Sequence, residues 1–276
     1  MREIVIAGKG GIGKSTLVTN LAVLAARRGL KVLQVGCDPK HDSCTRHFDR
    51  RLPTVMDLFK EKGRVDRQDI EGILAQGRTG VFGVEAGGPS PGEGCAGRAI
   101  SLLLEFMRSA GDLFDRFDLV LYDLLGDVVC GGFAAPIRRG PDTAIYLVTS
   151  GEILPTYAAN NIAQGIRNLS RRGGGRLGGI LANLRGTPGE RQILERFAAG
   201  LGTQVTGWIP RDPAVFAAEQ ARRTLMEHAP DSPAARAIEA LARRILDEPP
   251  DLVVPTPLEE EAFEALFSPW REGEVR

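Results

Sequence analysis

The chain has 276 residues, 43% of them hydrophobic and 25% charged, which supplies one large α/β domain with a buried sheet and is awkward for two full domains. Lys plus Arg and Asp plus Glu balance at 35 each. No overall field therefore draws the molecule to nucleic acid or to a membrane; neither is an expected partner, and any charged docking surface must be local.

Residues 1–7 read as a short strand rather than a charged leader before an apolar stretch. No later apolar run is long enough to span a bilayer, so a cytoplasmic location is expected. Strand-like runs at 4–7, 31–35, 81–85, 119–122, 144–148, 179–183 and 204–209 alternate with helical stretches. This predicts an α/β fold: a single domain with a mostly parallel sheet covered by helices on both faces. Leu17, Leu21, Leu24 and Ala25 recur at helical spacing after the first strand, and Arg28-Gly29 marks that helix's end. Further helices are predicted over 152–169, 214–226 and 234–246, separated by Gly, Pro or Asp. Residues 1–247 form the expected body. Beyond Asp247, Pro249, Pro250, Pro255 and Pro257 lead into a short acidic helix at 259–267, and residues 248–276 read as a C-terminal arm packed on the body or on a second copy.

Gly8-Lys9-Gly10-Gly11-Ile12-Gly13-Lys14-Ser15 has the spacing of a phosphate-binding loop and lies between the first strand and its helix, so the expected fold is that of a single-domain P-loop NTPase. The glycines let backbone N–H groups curl around a phosphate, the helix start adds positive dipole, Lys14 supplies a point charge and Ser15 can hold magnesium. Thr16 follows and joins the expected nucleotide set. Lys9 is not needed by the minimal loop; it is either an ordinary solvated lysine or a functional one, and the functional role is favoured. Asp38 and Asp123 each follow a strand, where a carboxylate can meet magnesium or position water. Taken singly, either could equally be a surface cap.

Four cysteines suit a reducing compartment, where burial or metal binding is commoner than a structural disulfide. Cys37 and Cys44 read as small buried apolar residues. Cys95 and Cys130 sit in turns with Gly92, Gly94, Gly97, Gly131 and Gly132. Two such thiols are half of a cubane cluster, which a second copy of the chain would complete. Cys130 lies three residues beyond Asp127, so a loop that moves with the nucleotide would also move the cluster.

These segments, with Gly36-Cys37-Asp38-Pro39-Lys40, Gly87-Gly88-Pro89, Gly94-Cys95-Ala96-Gly97-Arg98, Tyr122-Asp123, Leu125-Gly126-Asp127-Val128-Val129-Cys130-Gly131-Gly132-Phe133, Tyr157-Ala158-Ala159-Asn160-Asn161 and Pro210-Arg211-Asp212, resemble the nitrogenase iron protein family, or dinitrogenase reductases, over nearly the whole chain. The resemblance implies a homodimer bridged by one 4Fe-4S cluster on Cys95 and Cys130 of both chains. MgATP would bind at each loop, and ferredoxin or flavodoxin would supply low-potential electrons for delivery to a larger nitrogenase-like metallocluster protein. Lys9 would act across the subunit interface. Asp38, Asp42, Asp123 and Asp127 would serve the switch regions, with Asp42, Asp123 and Ser15 on magnesium. Lys40, Asn183, Pro210, Arg211, Asp212 and Glu219 would complete the nucleotide site, and Arg98 would lie at the docking face, where relatives can be ADP-ribosylated.

Departures separate the chain from the standard pattern. His41 stands where alanine is typical and resembles the chlorophyllide and protochlorophyllide reductase branch; Cys44 and Thr45-Arg46-His47-Phe48 match neither branch. Phe216 replaces an expected glutamine. The combination points to a nitrogenase-like reductase component, with a methylthio-alkane reductase as the first candidate partner. Nitrogenase itself and a tetrapyrrole reductase are the alternatives. A remote competitor, a partition-type P-loop ATPase, would share Lys9, Lys14 and the dimer but carry no cluster.

Overall fold

The computed structural model describes residues 1–38, 40–88, 97–109, 113–126, 136–138, 140–249 and 251–268. The strands are β1 (Arg2–Gly8), β2 (Val32–Gly36), β3 (Ala75–Gln76), β4 (Phe82–Glu85), β5 (Leu119–Leu125), β6 (Ala144–Thr149), β7 (Arg176–Asn183) and β8 (Val205–Ile209). They form one sheet in the order β3-β4-β2-β5-β1-β6-β7-β8. Every pairing is parallel except the short β3–β4 edge. The predicted α/β architecture is therefore the observed one.

Strand alternation divides the core between the two sheet faces. Val5, Leu33, Val35, Val120, Tyr122, Ile145 and Leu147 point to one side, where they meet α2 (Val55–Lys62), α3 (Arg67–Ile73), α4 (Gly97–Ser109), α5 (Ile153–Ser170) and α6 (Glu190–Gly200). Ile4, Ile6, Val32, Leu119, Leu121, Tyr146 and Val148 point to the other. There α1 (Lys14–Arg27), α7 (Pro213–Gln220), α8 (Leu225–His228) and α9 (Pro233–Leu246) cover them.

The helix predicted over 214–226 is two helices. Arg222 takes a left-handed backbone (φ 53°) that stops α7. Thr224 then opens α8 with a capping box, accepting from the Glu227 backbone N–H while the Glu227 carboxylate accepts from its own, so local capping overrides a continuous helical pattern. Residues 251–268 of the arm lie on the body. Leu177 and Val253 form an antiparallel bridge, Asn160 and Leu258 exchange two hydrogen bonds at 2.8 and 2.9 Å, and Phe263 of α10 (Glu260–Ala265) joins the core. No helix among the described residues is long and apolar enough to cross a membrane.

Candidate nucleotide site

Parallel strands bring their carboxyl ends to one rim, where open α/β sheets bind ligands. β1 runs into the loop 8–15, and Gly13, left-handed at φ 102°, turns the chain into α1. Asn183 at the end of β7 donates to the Ile12 carbonyl at 2.7 Å. A Cβ on Gly13 would come within 2.5 Å of that same Asn183 amide. The loop is thus clasped from a strand two places away. Lys14 is buried, and its ammonium holds the Lys9 carbonyl at 2.9 Å, which curls the loop around the space its N–H groups enclose.

Asp123, near the end of β5, is 3% exposed and accepts from the Ser43 hydroxyl at 2.6 Å. Burial pushes its carboxyl above the ordinary value, against hydrogen bonds from Ser15 and Ser43 and the charge of Lys14. The backbone of β2 lies beside it, so the Cys37 N–H reaches the Asp123 carbonyl at 3.1 Å. Asp38 accepts from the Lys40 backbone N–H at 2.9 Å, a short turn that the left-handed His41 (φ 44°) completes.

One cavity of about 1020 Å³ collects these groups. Gly10, Gly11, Gly13, Lys14, Ser15, Thr16, Asp38, Lys40, Asp42, Asp123 and Glu219 line it, all of them expected from the sequence. Gly8, Lys9, Ile12, Asn183, Pro210, Arg211 and Asp212 do not. Lys9 contributes its carbonyl to the loop; Asp212 caps α7 and α9 by accepting from Ala214 and Ala234, each at 2.9 Å. Cys95, Asp127 and Cys130 lie outside the described residues, as does the side chain of Arg98. The donor set fits MgATP: a glycine cradle and a buried ammonium for phosphates, beside hydroxyl and carboxylate oxygens of the kind magnesium prefers.

Sequence reasoning missed several lining residues, among them Arg46, Phe48, Asp49 and Arg222. It also missed Glu85, which lies level with Gly36 and Asp123 across β4, β2 and β5. Its Oε1 accepts from the Cys44 backbone N–H at 2.7 Å, and Oε2 has no hydrogen-bond partner among the described residues. Burial pushes this carboxyl up to about 8. Ser43 and Cys44, adjacent in sequence, are therefore held by carboxylates from two different strands. Cys37 and Cys44 are both buried, and burial followed by nearby carboxylates raises both thiols. Only the Asp-Pro-Lys segment after β2 offered a signal for this region.

Comparison with known proteins supplies the family. The model of the 4Fe-4S iron sulfur cluster binding proteins, NifH/frxC family, matches residues 2–272. The chain belongs to this family. It is 42% identical over 271 residues to nitrogenase iron protein 2 of Methanothermobacter thermautotrophicus, covering 98% of this chain and 99% of that one. It is 43% identical over 244 residues to nitrogenase iron protein 2 of Methanothermococcus thermolithotrophicus, covering 84% and 83%. Among solved structures, the septum site-determining protein MinD of Pyrococcus horikoshii, complexed with Mg-ADP, superposes with a TM-score of 0.69 at 21% identity, covering 89% of this chain and 96% of that one. A ParA family ATPase of Chlorobium tepidum gives 0.67 at 15% identity, over 88% and 98%. These structural likenesses carry the fold alone. Family members are ATP-hydrolysing electron-transfer components with a 4Fe-4S cluster and MgATP as cofactors, and they work as homodimers with a larger catalytic partner.

Proposed function

We propose that this chain is the ATP-dependent reductase component of a nitrogenase-like system, delivering low-potential electrons from ferredoxin or flavodoxin to a larger metallocluster protein. The observation that carries the reading is the single cavity that joins Lys14 and Ser15 of the loop to Asp38, Asp42 and Asp123 at the sheet rim. Lys14 meets phosphate charge, while Ser15, Asp42 and Asp123 provide oxygens for magnesium. Lys9 reaches the nucleotide of the other subunit, and Asp38 and Asp127 answer to its γ-phosphate. Asn183, Pro210, Arg211, Asp212 and Glu219 form the base side.

Cys95 and Cys130 of both subunits hold the 4Fe-4S cluster, which supplies one-electron redox chemistry when bound. The same chain that supplies Asp123 continues through Asp127 to Cys130, so the nucleotide and cluster segments are neighbours in sequence. Arg98 lies at the docking face. The partner proposed first is a methylthio-alkane reductase, because the residues after Asp42 that depart from both better-known branches include Cys44 and His47, which are buried parts of this fold rather than surface drift.

Anaerobic purification followed by iron analysis tests the core of the reading: about four irons per dimer are expected, with loss of the cluster in Cys95→Ser and Cys130→Ser. A colourless protein after full reconstitution would overturn it. Assays of the co-purified partner with methylthio compounds, dinitrogen and tetrapyrroles decide the substrate.

A further inference from the structure

Behind Asp123 runs a line of polar side chains, buried but for its far end at Thr79, that the nucleotide reading does not use. The Ser43 hydroxyl has one proton, and it goes to Asp123 Oδ2 at 2.6 Å. Ser43 Oγ must therefore accept from Gln34 Nε2, 3.0 Å away. The same Nε2 reaches the Ser43 carbonyl at 2.9 Å, which fixes the amide with Oε1 turned the other way. Oε1 faces His47 Nε2 at 2.8 Å and accepts from it. His47 Nδ1 is then the bare nitrogen, and it accepts from the Thr79 hydroxyl at 2.7 Å. The protons thus run in one sense, from Thr79 to His47 to Gln34 to Ser43, ending on the acceptor-only carboxylate. Such aligned chains strengthen one another in a dry interior. Gln34 and His47 are fully buried, and burial lowers His47 to about 4, which keeps the single-proton imidazole that this order requires.

We propose that Gln34 and His47 are positioning residues of the nucleotide site: through Ser43 they hold one oxygen of Asp123 and pin residues 42–44 against the strand rim. The proposal rests on the reading of the cavity as an MgATP site. Its logic lies in the amide. Without a donor at position 47, Gln34 Oε1 is buried and unpaired, and turning the amide over would only set Oε1 against the Ser43 carbonyl and strand Nε2 in its place, so the side chain leaves its seat to find a donor. Gln34 Nε2 then gives up the Ser43 hydroxyl oxygen and the Ser43 carbonyl together, and with them its hold on the hydroxyl that donates to Asp123. Asp123 and the segment around Ser43 then come loose together, although neither Gln34 nor His47 lines the cavity.

The experiment compares His47→Leu, which has no donor, with His47→Gln, whose amide nitrogen can stand in for Nε2. Hydrogen–deuterium exchange of peptides spanning 40–48 and the magnesium dependence of MgADP binding are both read on the purified holoprotein. For His47→Leu, about tenfold faster exchange and about tenfold more magnesium for half-saturation are expected, with His47→Gln within about threefold of the parent. Melting temperatures are measured alongside, because a merely structural role would lower them without moving the magnesium dependence. Parent-like exchange and magnesium dependence in folded His47→Leu overturn the proposal, as does a His47→Gln protein no better than His47→Leu. Should His47→Leu fail to fold, Thr79→Val tests the chain from its half-buried end, with a shift of about threefold in the same direction expected and no shift overturning it. A parent protein that takes up no MgADP would sink the nucleotide reading instead, and the exchange measurement would still decide the relay.

Discussion

Arg46 and Glu219 form an ion pair at 2.7 Å that joins the segment after β2 to α7, and both residues line the nucleotide cavity. Glu219 is about half exposed, so the pair contributes only about 0–1 kcal/mol to folding. Its consequence is for binding, because a nucleotide group that engages the Glu219 carboxylate must share it with the guanidinium. Arg46→Ala should leave the melting temperature within about 4 °C of the parent. Glu219→Ala should then change MgADP affinity by a different factor in the parent than in Arg46→Ala, with a coupling of at least about 0.5 kcal/mol. Calorimetric titration of the four proteins gives the answer; additive effects would show that the pair is bystander surface chemistry.

Lys14 presents a second, sharper case. Its ammonium is buried yet bonded to a carbonyl of its own loop, so it is pre-placed for phosphate at little further ordering cost. Lys14→Met keeps most of the apolar stem and removes the charge. MgATP affinity should fall by at least about 100-fold, while the melting temperature changes by a few degrees at most. Titration with MgATP, checked against circular dichroism, measures this. A Lys14→Met protein that binds MgATP normally would place the nucleotide elsewhere.

Gly13 is the backbone counterpart. Its left-handed φ of 102° disfavours any side chain, and an added Cβ would meet the Asn183 amide at 2.5 Å. Gly13→Ala should therefore break the Asn183–Ile12 hydrogen bond as well as strain the turn. The expected cost is about 1–3 kcal/mol, with nucleotide affinity reduced alongside. Asn183→Ala removes the clash partner, so the double variant should recover part of the stability in a urea melt; no recovery would show that backbone strain alone is responsible.

What could be read from the sequence was local. The loop 8–15 announces itself by glycine spacing between a strand and a helix, and the strands by short apolar runs, because both signals fit within a few residues. The division of 214–226 was also local, since Thr224 and Glu227 have capping-box spacing, but the helical pattern on either side masked it. Gln34, His47 and Thr79 were not legible. Their meaning lies in hydrogen bonds between residues 13 and 32 positions apart, and a glutamine within a strand or a histidine after a turn carries no mark of such a partner. Glu85 was hidden for the same reason: its place beside Gly36 follows from strand order, which periodicity does not reveal.

Glu85 and His47 together set an unusual stability profile. His47 sits near 4 in the folded protein against an ordinary 6.5. The unfolded chain therefore takes up its proton first, and this contribution, about 3 kcal/mol at its limit, is complete above pH 6.5 and fades as the pH falls toward 4. Glu85 sits near 8 against 4.5. The folded protein keeps a proton that the unfolded chain releases, so this contribution is complete below pH 4.5 and is lost as the pH rises through 8. The raised Asp123 acts in the same sense as Glu85. Between pH 4.5 and 6.5 the two slopes oppose each other; above 6.5 only the carboxyl slope remains. Urea melts of the nucleotide-free protein should show stability falling from pH 6.5 to 8. Glu85→Gln keeps an acceptor for the Cys44 N–H and has no proton to lose, so most of that fall should vanish in it. A parent curve that is flat over this interval, or a Glu85→Gln curve that runs parallel to it, would mean that the buried carboxyl is ionised at neutral pH and finds a partner for Oε2.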